Sequence, residues 1–240
     1  MKCPRCDSQH IVKNGHTHNG KQFFKCGDSA RQFVIAPRPQ PISEATRKLI
    51  DELLLEKISL AGICRTTGVS EKWLQYYVNK KLGAVNRQVE VKSKKKGKLI
   101  IQCDEMGSFV GNKGNKQWIW LPIDGFTKEI VGVYIGKRDQ TGTQGLWNSL
   151  PAVYRPCAVS YTDFWTAYRI LFFQKRHRGV GKDTGQTNYI ERLNNTTRHN
   201  RISRLGEKIL SFSKILSNHI GAIWYFIHEY NATLSIQYNL

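Results

Sequence analysis

The run Leu99-Ile100-Ile101-Gln102-Cys103 is almost without polar interruption and ends on an acid, Asp104. A strand wetted on one face alternates apolar and polar side chains, so a strand without alternation belongs in the middle of a sheet covered on both sides. That requirement selects a layered α/β fold with helices above and below the sheet. The chain beyond it supplies the pieces. Residues 118–123 and 130–135 read as a second and third strand, with Pro122 marking an edge position or a bulge. Residues 141–150 read as a helix, 158–162 as a strand ending at Asp163, 164–171 as a helix, and 187–200 and 210–231 as closing helices. The stretch 174–186 is basic, Gly-rich and aperiodic, which reads as a mobile loop.

Two breaks divide the chain into modules. Pro37-Arg38-Pro39-Gln40-Pro41 can only be extended, and the run Lys92-Ser93-Lys94-Lys95-Lys96-Gly97-Lys98 repels itself. The expected organisation is a small module at 1–36, a helical module at 42–80, a basic linker at 81–98 and the α/β domain at 99–240. In the first, Cys3-x-x-Cys6 is followed by Cys26, with Phe23-Phe24 and Gln32-Phe33-Val34 around it. Short aromatic strands between cysteine knuckles describe a zinc-ribbon-like module, in which Zn²⁺ bound by Cys3, Cys6 and Cys26 replaces a core too small to fold alone. The fourth ligand is missing: Ser29 stands where a thiolate belongs. His10, His16, His18 or Asp28 are alternative donors, and a metal-free module that keeps only the shape is the other reading.

Residues 42–80 carry three helical patterns. Ala45, Leu49, Ile50, Leu53 and Leu54 form a stripe after Ser43; Leu60, Ile63 and Cys64 form a second that stops at Gly68; Ser70 caps a third, with Val69 and Leu74 as a hydrophobic staple. Helix, short Gly-containing turn and helix is the grammar of a helix-turn-helix module, whose last helix would offer Glu71, Lys72, Gln75, Tyr76 and Asn79 to a major groove.

Charge narrows the partner. The chain carries a formal net charge of +19, which is most simply balanced by the phosphates of double-stranded DNA or of RNA. Phosphate contacts are expected from Lys94, Lys95 and Lys96, from Lys175, Arg176 and Arg178, and from 198–204, which includes Arg201. No apolar stretch approaches the roughly 18 residues of a spanning helix, and Met1-Lys2-Cys3-Pro4 opens no secretory leader. A soluble cytoplasmic protein without a membrane partner is expected, and the remaining cysteines (Cys64, Cys103, Cys157) sit in apolar runs as packing groups.

In so basic a chain, Asp104, Asp163 and Glu191 stand out. Two-metal phosphoryl transfer needs carboxylates that flank a pair of Mg²⁺ or Mn²⁺ ions about 3.5–4 Å apart. Acids at the ends of two neighbouring strands and on a helix across them can meet that need. On the expected helix 187–200, Asn188, Glu191, Asn195 and Arg198 share one polar stripe, while Ile190 and Leu193 point away. Glu105 points to the other side of its strand, and Asp124 and Asp139 fall in turns.

The order of these pieces carries a resemblance. A cysteine-knuckle ribbon and a helix-turn-helix precede Cys103-Asp104-Glu105-Met106, Gln117-Trp118-Ile119-Trp120, Tyr161-Thr162-Asp163-Phe164-Trp165-x-x-Tyr168 and Asn188-Tyr189-Ile190-Glu191-Arg192-x-Asn194-x-x-x-Arg198. From Cys3 to about Tyr230 the chain resembles the transposases of the insertion-sequence-one family. The resemblance implies a ribonuclease H-like core with a DDE triad at Asp104, Asp163 and Glu191, assisted by Arg198 as the basic residue that follows the glutamate. It implies binding of an element's terminal inverted repeats, metal-dependent strand cleavage and strand transfer, association with the bacterial nucleoid, and at least a homodimer when two ends are paired. Ser29-Ala30 in place of Cys-Gly departs from the pattern. The alternatives are a nuclease or junction resolvase that cuts without joining, and a DNA-binding repressor whose catalytic half has decayed.

Overall fold

The computed structural model describes residues 1–18, 20–35, 41–56, 58–91, 99–156, 158–172, 175–197 and 214–237. The chain divides into two units, Met1–Glu44 and Ala45–Leu240. The first is an antiparallel meander of β1 (Ile11–His16), β2 (Gln22–Cys26) and β3 (Gln32–Val34). Gly20 in the β1–β2 turn and Gly15, where the register of β1 shifts, take φ of +78° and +72°, the left-handed conformation that Gly adopts without a side-chain clash. Its described buried apolar side chains are Cys3 and Cys26, with Phe24 and Phe33 in partial contact. So small a core holds a fold only with a further tie.

The second unit opens with α1 (Glu44–Leu53), α2 (Leu60–Thr67) and α3 (Glu71–Ala84). The Ser59 hydroxyl accepts from Gly62 N, Gly68 at φ 71° closes α2, and the Ser70 hydroxyl accepts from Trp73 N. These satisfy N–H groups that a helix end leaves open. Leu74, Val78 and Leu82 bury one face of α3, with Val69 buried beside them. On another flank Trp73 and Tyr77 stack, and Tyr77 and Lys81 both bind the Asp51 carboxylate of α1.

Then follow β4 (Ile100–Phe109), β5 (Lys116–Asp124), β6 (Tyr134–Gly136), α4 (Gln140–Ser149), β7 (Val159–Thr162), α5 (Thr166–Leu171), β8 (His177–Gly179), α6 (Asn188–Thr196) and α7 (Leu216–Gln237). The sheet order is β6-β5-β4-β7-β8; β5 and β6 run antiparallel to their neighbours, while β4, β7 and β8 are parallel. The central strand is β4, and both its faces are covered. Ile101 and Cys103 pack with Trp120, Leu146, Leu150, Tyr154 and Tyr168 on one side. Met106 packs with Ile119, Leu121, Ile190, Leu193, Ile223 and Ile227 on the other. Pro122 sits where β5 faces the irregular chain around Val131, beyond the end of the β6 ladder, so its missing N–H costs no ladder bond.

Two expectations need correction. Asp104 is not at a strand end: β4 continues to Phe109, because antiparallel β5 pairs with it along its whole length. Nor is 174–186 a loop throughout. His177–Gly179 forms β8, paired in parallel with β7, and a short 3-10 helix covers Lys182–Thr184. A three-residue edge strand takes its order from its neighbour's ladder and needs no apolar period of its own.

Candidate active site

Asp104 and Asp163 reach one place through strand register. Gln102 of β4 pairs with Tyr161 of β7, and each acid lies two residues further along its own parallel strand. Parallel neighbours lie about 4.8 Å apart, so the two acids emerge side by side where β7 ends. Glu191 arrives on α6, which lies along β4. Gln102 Oε1 accepts from Ile190 N at 3.2 Å, and Asp104 Oδ2 accepts from Asn194 Nδ2 at 2.9 Å. Two strand residues rise about 6.7 Å and four helical residues about 6 Å, so the contacts match in pitch and fix the helix against the strand. The first of them also satisfies an open N–H in the first turn of α6.

Together the three acids line a cavity of about 200 Å³ with Cys103, Glu105, Trp118, Arg138, Val180, Lys182 and Thr187. Each acid is oriented. Asp163 Oδ1 accepts from Trp165 N at 3.0 Å, and Glu191 Oε1 accepts from the Thr187 hydroxyl at 2.8 Å. Burial pushes the Asp104 acid up; the Asn194 bond pulls it back, and the charges of Asp163 and Glu191 add to the rise. Asn194 is buried, and its Oδ1 has no hydrogen-bond partner among the described residues. Carboxylates of like charge gathered in one cavity fit a hard divalent cation, which would offset their mutual repulsion.

On the opposite face of β4, Glu105 is buried. Its Oε1 accepts from Arg138 Nε at 2.7 Å and faces Nη2 at 2.6 Å, and its Oε2 accepts from the Tyr168 hydroxyl at 2.7 Å. Burial pushes this acid up as well, against the pull of Tyr168 and Arg138. Asp124 closes a turn through Phe126 N and Thr127 N, and Asp139 caps α4. Trp165 and Tyr168 pack with Trp120. Sequence reasoning missed Gln102, Arg138, Lys182, Thr187 and Asn194. Of these, Gln102 lies within the apolar run before Asp104 and Asn194 three residues after Glu191, each near an acid already singled out.

The remaining expected residues are not gathered here. Lys72, Gln75, Tyr76 and Asn79 are exposed on α3, and Asn79 Oδ1 is already used by Gln75 and Asn218. Lys175, Arg176 and Arg178 are exposed on β8 and the residues leading to it. Lys94, Lys95, Lys96, Arg198 and Arg201 lie outside the described residues.

In the first unit the Cys3, Cys6 and Cys26 thiols all lie within 4.8 Å of one another, the one such group of potential metal ligands among the described residues. Sulfurs on a Zn²⁺ tetrahedron with 2.3 Å bonds stand about 3.8 Å apart; Cys6 Sγ and Cys26 Sγ are 3.6 Å apart. Ser29 Oγ is 3.4 Å from Cys3 Sγ, and Ser29 N donates to Cys26 Sγ at 3.5 Å. The serine therefore occupies the fourth corner, whereas His10 turns to Asp28 instead. The bonds from Ser29 lower the Cys26 thiol to about 6, and a thiolate is the form that binds zinc. This group could hold zinc. No described helix is long and apolar enough to cross a membrane.

Comparison with known proteins addresses residues 98–231, which match the family model described as IS1 transposase. The chain is similar to the iso-IS1n protein InsB of Shigella dysenteriae, with 32% identity over 139 residues, covering 55% of this chain and 96% of that protein. It is also similar to an IS1 protein InsB of Escherichia coli K12, with 31% identity over 135 residues, covering 55% of this chain and 77% of the relative. The matched span holds the sheet, the three acids and the helices that cover them, and on that match the chain belongs to the IS1 transposase family.

Proposed function

We propose that this transposase cuts and joins DNA with Asp104, Asp163 and Glu191 as its acidic triad, on a ribonuclease H-like core. The convergence of the three acids from β4, the end of β7 and α6 on one cavity carries the reading. The sheet order, with a long central strand that has antiparallel β5 on one side and parallel β7 on the other, supports it. Two Mg²⁺ or Mn²⁺ ions, when bound, would supply an activated nucleophile and charge stabilisation at the leaving oxygen.

The chain's own groups hold and aim. Asn194, Thr187 and the Trp165 N–H fix one carboxylate each, so their oxygens need not reorganise during reaction. Water attacks the phosphorus at an element end in line, the bond to the 3′ oxygen breaks, and a 3′-hydroxyl is released. That hydroxyl then attacks a target phosphodiester and displaces a second 3′ oxygen, so neither ATP nor a covalent enzyme intermediate is needed. Arg198 and the basic 198–204 segment would grip DNA phosphates.

Residues 1–36 act in this reading as a zinc-ribbon-like module and 42–80 as a helix-turn-helix, both binding the terminal inverted repeats. Lys72, Gln75 and Tyr76 face the major groove, and Asn79 contributes only its amide N–H groups. The linker 81–98 and the exposed Lys175, Arg176 and Arg178 add phosphate contacts, and pairing of two ends calls for at least a dimer on nucleoid DNA. The test is Mg²⁺-dependent joining of a labelled element end to plasmid DNA, with zinc measured on the same preparation. Cutting without joining would favour a nuclease or resolvase; binding without either would favour a repressor.

A further inference from the structure

The Glu105–Arg138 pair is costly to build and, as a source of stability alone, hard to justify. A carboxylate side chain only 2% exposed has lost its hydration, and buried ion pairs seldom repay that loss. What the pair achieves is geometric. Both Glu105 oxygens are occupied, Oε1 by Arg138 and Oε2 by Tyr168. The guanidinium is also held between two indoles, with its centre 4.8 Å from the Trp118 ring and 4.9 Å from the Trp165 ring. Glu105 takes the Nε–Nη2 edge, which leaves Nη1 without an acceptor among the described residues. The Arg138 side chain is nonetheless 40% exposed, and it lines the cavity that contains Asp104, Asp163 and Glu191.

A cation clamped by one buried acid and two rings, with one edge left open, is prepared for a second oxyanion. We propose that Arg138 is a phosphate-binding residue of this cavity, which takes a non-bridging oxygen of the strand being cut through its Nη1 edge. Glu105, Tyr168, Trp118 and Trp165 are its positioning residues. The proposal rests on the DNA-cutting reading above, and it adds a contact on the side of β4 away from Asp104. A lysine could supply charge at this point, but neither the fork nor the flat surface that the indoles grip.

The experiment uses the full chain and a labelled element end in which single phosphates flanking the cut are replaced, one at a time, by neutral methylphosphonates. For the wild-type protein, neutralising one phosphate within a nucleotide or so of the cut should slow cleavage by about 10–100-fold, the size of one lost charge-assisted contact. Arg138→Gln should lose a similar factor on unmodified DNA. At that one position it should show no further penalty, while keeping the wild-type penalties elsewhere. Arg138→Lys, whose fold is checked by circular dichroism, should recover less than half of the loss on a logarithmic scale. Equal penalties at every position in wild type and Arg138→Gln would overturn the proposal. So would a wild-type scan without any sensitive phosphate near the cut, a result that holds even if neither variant folds. A wild-type protein that cannot cut unmodified DNA would instead remove the parent reading, and this proposal with it.

Discussion

The cysteine cluster of the first unit and the acid cavity of the second are opposite solutions to collecting like-charged ligands. The cysteines come from two short knuckles, and the thiols already stand at metal-binding separations within 4.8 Å. The acids come from three elements up to 87 positions apart in the chain (Glu191 minus Asp104), and they line a wider space of about 200 Å³. The first arrangement suits an ion that replaces a missing core. The second suits ions that must share their coordination with a substrate, because open positions are where chemistry happens. With zinc at the first and Mg²⁺ at the second, as proposed, soft sulfur and hard oxygen would keep the two ions from exchanging places.

Asp104→Asn should have the largest effect on this contrast. Strand joining should fall to background while DNA binding persists, and the metal-free protein should melt a few degrees higher, because a buried charge that burial disfavours has been removed. Unchanged joining would sink the triad. Cys26→Ser comes next: zinc should be lost and the Met1–Glu44 unit should become protease-sensitive, with the second unit's near-ultraviolet dichroism intact. The reverse change, Ser29→Cys, should tighten zinc retention against a chelator. If Ser29→Cys leaves retention as it was, the serine is not at the fourth corner of the site.

Smaller effects sharpen the picture. Asn194→Ala frees one Asp104 oxygen and should raise the Mg²⁺ concentration for half-maximal cleavage by about 10-fold, with zinc content unaltered. A shift in zinc, or none in Mg²⁺, would contradict that assignment. The pH dependence is the mildest. Asp104's folded pKa lies above the ordinary 3.8, so the folded state holds its proton more tightly than the unfolded chain does. Its contribution should therefore decrease as pH climbs from about that value through the raised one, and then level off. Divalent cations should reverse the decline. A differential melting series with and without Mg²⁺, compared with Asp104→Asn, isolates this component.

The backbone plan was legible because hydrophobic period and caps are local. Ser70, Gly68 and the unbroken run at Leu99 each announce their element within a few residues. The acids were legible as motif residues, but the length of β4 was not, since the polar second half of that strand is ordered by β5. Arg138 could not be found by spacing. Its partners Glu105, Trp118 and Trp165 meet it only after three elements fold, and an isolated arginine before a helix cap looks like surface. Glu105 was read as facing away from Asp104, which is correct, but its burial was invisible in a sequence. Gln102 likewise acts through a contact that no short window contains, whereas Thr187 reaches Glu191 only one turn away.

One close approach bears on how recognition and cutting are measured against each other. A Cβ on Gly221 of α7 would lie 2.4 Å from the Leu82 carbonyl oxygen of α3, so the two backbones nearly touch. Further along the same helix, Ile223 and Ile227 pack into the same cluster as Ile190 and Leu193 of α6. A single helix is thus bolted at one point to α3 and at another to the helix that bears Glu191. On the proposed reading, the offset in base pairs between the recognised sequence and the cut is set by a stiff caliper, and a bulkier residue at position 221 would move the incision along the duplex.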